Sequence, residues 1–160
     1  MFTPLNLPKA PLKLFKKNNQ VFVLDAFRNK EILLTPEEWV RQHFLHYITL
    51  HKNIPKGLII SEHGLTINEM TRRCDAVVFT KNRIPLAIIE CKAPEVKLSE
   101  KTMHQIAQYN FALHVNWLIL TNGIETVVCF VNAKEKKLSY LEELPNYEKM
   151  IELSEGQKSG

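Results

Sequence analysis

The feature that most constrains this chain is a pair of apolar runs that each carry charges a core strand does not need. The segment 86–92, Leu-Ala-Ile-Ile-Glu-Cys-Lys, ends in Glu90 and Lys92, and the segment 72–79, Arg-Arg-Cys-Asp-Ala-Val-Val-Phe, contains Asp75. Runs this apolar are typical of strands covered on both faces of a sheet. Buried charges are unfavourable unless they are paired or bound to a metal. Two carboxylates and a lysine on neighbouring strands therefore predict a small site for a hard cation, with a positive group beside it.

Length and composition indicate a single soluble domain with a mildly basic surface. The chain has 160 residues, of which 45% are hydrophobic and 24% charged, so it is long enough to bury a core. Its net charge of +4 is compatible with a polyanionic partner, but ordinary surface lysines are the simpler explanation.

The cysteines and the start of the chain indicate a reducing compartment. The three cysteines lie far apart and form no CxxC pair, which argues against a zinc site and against disulfides: Cys74, Cys91 and Cys129. The N-terminus has no apolar core of the kind a signal peptide needs, and no apolar run approaches the roughly 18 residues of a membrane span. We expect a cytoplasmic protein with no membrane contact.

The first 34 residues predict an arm and a hairpin ahead of the first helix. Three prolines favour extended backbone in the arm, and the short apolar runs 21–24 and 30–34 are typical of paired strands. A helix then begins after Thr35, whose hydroxyl suits the N-cap, and Glu38 completes a capping box. Apolar residues at helical spacing carry this helix to about His51.

The rest of the chain predicts further strands around a second helix. The predicted elements are, in order, a strand at 58–62, a turn at His63-Gly64, strands at 73–79 and 85–91, a helix over about 100–114 capped by Ser99, and strands at 117–120 and 126–131 around an Asn122-Gly123 turn. We therefore predict an α/β fold made of a helix, a three-stranded meander, a helix and a strand, with helices flanking a mixed central sheet. One domain is expected, with an N-terminal arm and hairpin at 1–34, a core at 35–145 and a frayed tail at 146–160.

The charged residues on these elements form an ordered set that resembles a nuclease signature. Asp75, followed after fourteen residues by Glu90-Cys-Lys92, resembles the PD-(D/E)XK motif, with Cys74 at its variable first position. On the second helix, Gln105-Ile-Ala-Gln-Tyr109 is similar to the Q-x-x-x-Y motif of RecB-like nucleases. From about residue 35 to 131 the chain resembles the N-terminal endonuclease domain of type I restriction enzyme R subunits.

This resemblance implies a restriction-endonuclease-like core that binds Mg²⁺, with Mn²⁺ as a substitute. Asp75 and Glu90 on neighbouring strands would hold the ion, and the backbone carbonyl of Cys91 is a third ligand by resemblance. Lys92 lies two residues after Glu90, so the two side chains share a strand face. There Lys92 would orient or deprotonate the water, or offset the charge of the transition state.

Further residues complete the implied site. The first-helix glutamate that is common in the family is Glu38, with Glu37 as the alternative, and it would hold the metal through a water. Gln105 would orient Lys92 or a phosphate. The candidate nucleic-acid contacts are Arg72, Arg73 and Tyr109.

Each charge taken alone has a simpler explanation, since Asp75 can cap a turn while Glu90 and Lys92 pair at a strand end. The ordered set favours a Mg²⁺-dependent DNA endonuclease of restriction type. The alternatives are a non-catalytic nucleic-acid-binding or partner-docking module with the same fold, and a repair nuclease with the same site.

The resemblance also implies partners. Type I R subunits carry helicase motor domains after this domain, and these 160 residues contain none, so we expect a stand-alone relative or one domain of a split system. The expected partners are DNA and the helicase, methyltransferase or specificity subunits of a restriction system. A homodimer would allow two simultaneous cuts.

Overall fold

The computed structural model describes residues 2–67 and 70–157; within these ranges the side chains of 63–67, 70–72 and 111–112 are not described. The strands are β1 Leu14–Lys17, β2 Gln20–Asp25, β3 Lys30–Leu33, β4 Ile59–Ile67, β5 Met70–Phe79, β6 Pro85–Cys91, β7 Trp117–Thr121, β8 Thr126–Asn132 and β9 Lys137–Leu141. The α-helices are α1 Pro36–His51, α2 Glu100–Leu113 and α3 Tyr147–Glu155, and a single 3-10 turn covers Lys56–Leu58.

The larger sheet has six strands in the order β4-β5-β6-β7-β8-β9. Only its β6–β7 pair is parallel, and the other four pairs are antiparallel. A parallel pair needs a crossover connection, and α2 supplies it. The predicted mixed sheet with helices is confirmed, and so is the antiparallel meander of β4, β5 and β6.

The helices cover this sheet on both faces. On one face α1 and α3 pack over residues such as Ala76, Ile89 and Trp117. On the other, α2 packs over Val77 and Ile88. Six of the seven residues of β6 are buried, as predicted for a strand with two covered faces. Among the described residues, no helix is long and apolar enough to span a membrane.

The first helix begins and ends where the sequence predicts. The Thr35 hydroxyl accepts a hydrogen bond from the Glu38 backbone N–H at 3.1 Å, and Pro36 occupies the first turn. The capping box is only half formed, because the Glu38 carboxylate bonds to side chains elsewhere and not to the Thr35 backbone. α2 is capped by Ser99, also as predicted.

The predicted turn at His63-Gly64 is wrong. Both residues continue β4, with His63 opposite Cys74 and Gly64 opposite Arg73 on β5. The local turn preference of glycine is overridden by the ladder of backbone hydrogen bonds between two long strands. As a result β4 and β5 are nine and ten residues long, and they extend beyond the predicted strands.

The predicted frayed tail at 146–160 is also wrong over the part that is described. α3 begins after Asn146, whose side chain accepts a hydrogen bond from the Lys149 backbone N–H. It buries Met150 completely, and the Trp117 indole donates to the Met150 carbonyl at 3.2 Å and to the Ser154 hydroxyl at 3.1 Å. A helix of only nine residues gives too short a periodic signal to stand out among charged residues, although its apolar side is consistent.

A separate three-stranded antiparallel sheet precedes α1, in the order β1-β2-β3. The predicted hairpin of the apolar runs 21–24 and 30–34 is confirmed as β2 and β3. β1, within the expected arm, adds a third strand. Val23 and Asp25 on the inner face of this sheet are fully buried, so it is attached to the rest of the molecule.

Candidate functional site

The structure brings Asp75 and Glu90 together on adjacent strands. β5 and β6 are antiparallel with Ala76 opposite Ile89, and the same register continued by one residue sets Asp75 opposite Glu90. Directly opposite residues on neighbouring strands point to the same face, so the two side chains lie side by side. Each is 7% exposed, which makes this a buried pair of carboxyl groups.

Asp75 is held by two hydrogen bonds at once. Its Oδ1 accepts from the Nη2 of Arg41 on α1 at 2.6 Å, and its Oδ2 accepts from the backbone N–H of Cys91 at 2.6 Å. A guanidinium and a backbone amide thus satisfy both oxygens of this side chain. The side chain is therefore fixed in position between α1 and the end of β6.

Glu90 has the opposite environment. Its Oε2 is buried without a hydrogen-bond partner in the described structure, and its Oε1 lies 3.8 Å from the Nζ of Lys92. Burial and the negative charge of Asp75, opposed by Lys92, together raise the pKa of the Glu90 carboxyl to about 8. A carboxylate oxygen with no donor is a position where a bound cation would relieve an unfavourable burial.

Lys92 lies at the end of the same strand and contacts α2. Its Nζ donates to the Oε1 of Gln105 at 3.4 Å, and the lysine side chain is 19% exposed. Glu90 and Lys92 share the strand face of Ile88, which α2 covers. The structure therefore brings together four of the predicted residues, namely Asp75, Glu90, Lys92 and Gln105.

The geometry favours Glu37 over Glu38 as the helix carboxylate. Glu38 is saturated by three side-chain donors, because its Oε1 accepts from Arg28 and Gln42 at 2.8 Å and its Oε2 accepts from Arg41 at 2.9 Å. Glu37 is about half exposed, and burial together with the charge of Asp75 raises its pKa. The Oε1 of Glu37 lies 3.6 Å from the Nη2 of Arg41, the nitrogen that also binds Asp75, so Glu37 lies beside the carboxylate pair.

Two arginines and one glutamate that the sequence did not single out connect to this site. Arg28 bonds to Asp25, Glu38 and Glu62 at 2.5 to 2.8 Å, and the Nη1 of Arg41 lies 3.4 Å from Glu62. Arg41 follows Glu37 by four residues and Glu38 by three, so the helical spacing of opposite charges was a signal available in the sequence. Nearby carboxylates raise the pKa of Arg41.

Glu62 reaches the site through an unusual backbone conformation. On β4 and β5, Ser61 pairs with Ala76 and His63 pairs with Cys74. Glu62 therefore lies opposite Asp75, but these two residues do not form a regular strand pair. Its φ is +54°, in the left-handed region that a glutamate seldom adopts. Such a conformation persists only where surrounding contacts stabilise it, and the Arg28 ion pair at 2.7 Å is one of them.

The predicted nucleic-acid contacts have different outcomes. Tyr109 is 4% exposed and its hydroxyl donates to the Arg73 carbonyl at 3.0 Å, which favours a packing role against the sheet, and its contact with nucleic acid stays a prediction. The Arg73 side chain is exposed, and its role stays a prediction. The Arg72 side chain lies outside the described residues.

The carboxylate site fits a metal that keeps most of its own water. In the described part of the chain, no three His, Cys, Asp or Glu side chains lie close enough to hold an ion by themselves. Mg²⁺ prefers one or two carboxylates plus waters and substrate oxygens, which Asp75 and Glu90 can offer. The Cys91 thiol is buried and its pKa is raised well above the ordinary value, so a thiolate ligand is disfavoured and only the Cys91 carbonyl stays a candidate.

Fold and site together define a mixed α/β domain with a buried acidic centre. The chain belongs to the family described as the N terminus of the type I restriction enzyme R protein, whose family model matches residues 36–145. A comparison with curated proteins found no significant match.

A solved structure resembles this fold. It is a fragment assigned as an HsdR subunit of a type I restriction enzyme from Vibrio vulnificus YJ016, with a TM-score of 0.52 and 18% sequence identity. The match covers 62% of this chain and 21% of that chain, so the present sequence spans about a fifth of its relative. At this identity the likeness shows the fold alone.

Proposed function

We propose that this chain is a PD-(D/E)XK nuclease domain that hydrolyses DNA phosphodiester bonds with Mg²⁺, as part of a restriction system of type I. The observation that carries the proposal is the buried Asp75–Glu90 pair with Lys92 beside it and one unpartnered Glu90 oxygen. A buried carboxylate oxygen without a partner is unfavourable for a fold that has no use for it. Membership of the R protein family supports the restriction context.

The residues take distinct roles in this proposal. Asp75 and Glu90 would hold Mg²⁺ with the Cys91 carbonyl, and Glu37 would reach it through water. The bound ion would lower the pKa of a water and offset charge on the phosphate. Lys92 holds a positive charge against the reacting phosphate, and Gln105 orients it by the 3.4 Å hydrogen bond.

One observation favours a second function, a non-catalytic nucleic-acid-binding or docking module. Both oxygens of Asp75 already have partners, Arg41 and the Cys91 N–H, so this carboxylate is satisfied without a metal. A cation would have to take the place of Arg41 at Oδ1. The two functions differ in turnover, because only the nuclease cuts DNA when Mg²⁺ is added.

The test is cleavage of supercoiled plasmid by the purified protein with Mg²⁺ or Mn²⁺. We expect nicked or linear product with the wild type, and a loss of about 100-fold or more in rate for Asp75→Asn, Glu90→Gln and Lys92→Met. Glu95→Gln and Lys97→Met, which alter exposed side chains a few residues away, are the matched controls and should cut normally. Equal activity in the site and control variants would contradict the proposal, and binding without any cleavage would favour the docking module.

The proposed partners follow from the family. We propose that the domain acts with the helicase, methyltransferase or specificity subunits of a restriction system, and that two copies are needed where both strands are cut. A substrate panel of damaged, single-stranded and plain duplex DNA separates restriction from repair, since a repair nuclease would prefer the damaged or single-stranded substrates.

A further inference from the structure

The basic charge of the protein is concentrated in the segment that precedes the matched family region. Residues 1–34 contain six basic residues (Lys or Arg) and two acidic residues (Asp or Glu), a net charge of +4. Residues 35–160 contain fifteen basic and fifteen acidic residues, so their net charge is zero. The N-terminal segment therefore carries the whole net charge of the chain. Such a separation of charge along a sequence is typical of a contact surface for a polyanion.

Most of this charge is exposed on or beside the three-stranded sheet. Arg28 and Asp25 bond to each other and are largely buried, which leaves one exposed acid and five exposed lysines. The exposed acid is Glu31, and it pairs with Lys17. The other four lysines have no ion-pair partner among the described residues: Lys9, Lys13, Lys16 and Lys30. Their ammonium groups are available to phosphates.

Aromatic packing on the outer face makes the sheet firm. Lys13 lies on that face, while Lys16 and Lys30 lie on the opposite face by the strand register. Phe15 and Phe22 are opposite each other on β1 and β2, and their rings stack with centroids 6.0 Å apart at 16°. The Lys17 ammonium lies 5.3 and 5.9 Å from the two ring centroids. Cross-strand aromatic packing and this cation–π contact stabilise a small sheet that would otherwise be marginal.

The sheet continues directly into the carboxylate site. Arg28, in the β2–β3 turn, bonds to Glu62 at 2.7 Å, and Glu62 lies 3.4 Å from Arg41, whose other amino group binds Asp75. Lys30, at the start of β3, is opposite Asp25, and Asp25 bonds to Arg28, so Lys30 lies at the end of the sheet that meets the site. A polyanion held by the sheet would therefore extend past Asp75.

We propose that the N-terminal sheet is the surface that holds the backbone of duplex DNA and leads it to the carboxylate site. Lys13, Lys16 and Lys30 contact phosphates without reading the base sequence. Lys13 and Lys30 lie near the same end of the sheet, since the Lys13 carbonyl accepts from the Leu24 N–H and Lys30 is opposite Asp25. This inference rests on the proposed function only in naming DNA as the substrate.

The test measures binding without cleavage. Anisotropy of a labelled duplex is titrated in EDTA over a range of salt concentrations with wild type, with the triple variant K13Q/K16Q/K30Q, and with K101Q/K136Q/K137Q. The control removes the same charge from three exposed lysines elsewhere. We expect the sheet variant to bind at least about tenfold more weakly and its plot of log K against log salt to be shallower by about 2 to 3, since each phosphate contact contributes about 0.9. The control should resemble the wild type.

The outcomes separate this inference from the nuclease proposal. Equal losses of affinity in the two triple variants would show that binding depends only on net charge and would contradict the proposal. If the wild type does not bind duplex DNA at low salt, the proposed DNA-binding surface is refuted outright. Tighter binding to single strands than to duplex would also refute it as stated. If the wild type cuts DNA while the sheet variant binds DNA normally, the proposed binding surface is wrong and the proposed nuclease activity is supported. If DNA binding depends on the sheet lysines but no cleavage occurs with Mg²⁺, the proposed binding surface is supported and the proposed nuclease activity is refuted.

Discussion

Replacing Glu90 by glutamine should stabilise the metal-free protein at alkaline pH. The Glu90 carboxyl is buried beside Asp75, one of its oxygens has no partner among the described residues, and its pKa is raised to about 8. Above that pH the folded state must hold a second negative charge in a poorly solvated place. Glutamine has nearly the same shape and no charge, so the substitution removes this penalty.

The sign follows from proton binding. The ordinary glutamate pKa is 4.5 and the folded value is about 8, so the folded state binds the proton more tightly. The favourable contribution of this group is fully present below pH 4.5 and is lost as the pH rises through 8. At about 1.36 kcal/mol for each pH unit the upper limit is about 5 kcal/mol. Relaxation of the surroundings and entry of water reduce the cost of ionising a buried group, so we expect about 1 to 3 kcal/mol.

Chemical denaturation in EDTA at several pH values between 5 and 9 measures this effect. At pH 9 the free energy of unfolding of Glu90→Gln should exceed that of the wild type, and the difference should vanish toward pH 5. Glu95→Gln, at an exposed position, should show no such trend. A Glu90→Gln protein that is less stable than the wild type at pH 9, or a difference that does not change with pH, would refute the reasoning.

Four further substitutions test other parts of the structure. Arg41→Met should lower the free energy of unfolding in EDTA by about 3 to 5 kcal/mol, because it leaves Asp75 buried without its cation; added Mg²⁺ should then stabilise the variant more than the wild type, and an equal gain would contradict this. Met150→Ala should lose about 2 to 5 kcal/mol in the same denaturation assay, and a negligible loss would exclude α3 from the core. Tyr109→Phe should lose about 1 kcal/mol, with unchanged DNA binding by anisotropy; weaker binding at full stability would support a nucleic-acid role. Glu37→Gln should weaken Mg²⁺ binding in calorimetry with little change in stability, whereas an unchanged affinity would remove it from the site.

The parts of the fold that sequence predicts well are those with long, consistent local signals. β6 has the predicted bounds because an apolar run between a proline and a charged end leaves little choice of register. α1 has a hydroxyl cap, a proline in its first turn and apolar residues at regular spacing, and its bounds agree as well. In these segments tertiary contacts reinforce what local preference already favours.

The segments that sequence mispredicts are those where a distant contact decides. Nothing local indicates that Gly64 pairs with Arg73, since this depends on the length of the partner strand. In the same way the nine residues of α3 are stabilised by the Trp117 indole, which lies more than thirty residues earlier in the chain. A helix this short is marginal alone and depends on such packing.

In the site, too, the motif residues could be predicted from the sequence, but their ion-pair partners could not. Glu90 and Lys92 are linked by a spacing of two, and Asp75 by the strand order, so the motif could be read from the sequence. The partner of each carboxylate could not be predicted in this way, because Arg41 and Asp75 are thirty-four residues apart in the sequence.

The contrast between the two buried carboxylates carries a chemical consequence. Asp75 has a guanidinium at 2.6 Å and an amide at 2.6 Å, whereas Glu90 has an unpartnered oxygen and a lysine at 3.8 Å. An incoming cation therefore gains more from Glu90 than from Asp75, where it must compete with Arg41. Arg41 has other carboxylates within 4 Å, including Glu38 and Glu62, so it can release Asp75 without losing its own ion pairs. If the proposed cation were held by both carboxylates, Glu90 would offer it a free oxygen, and Arg41 would have to move from Asp75 toward the glutamates.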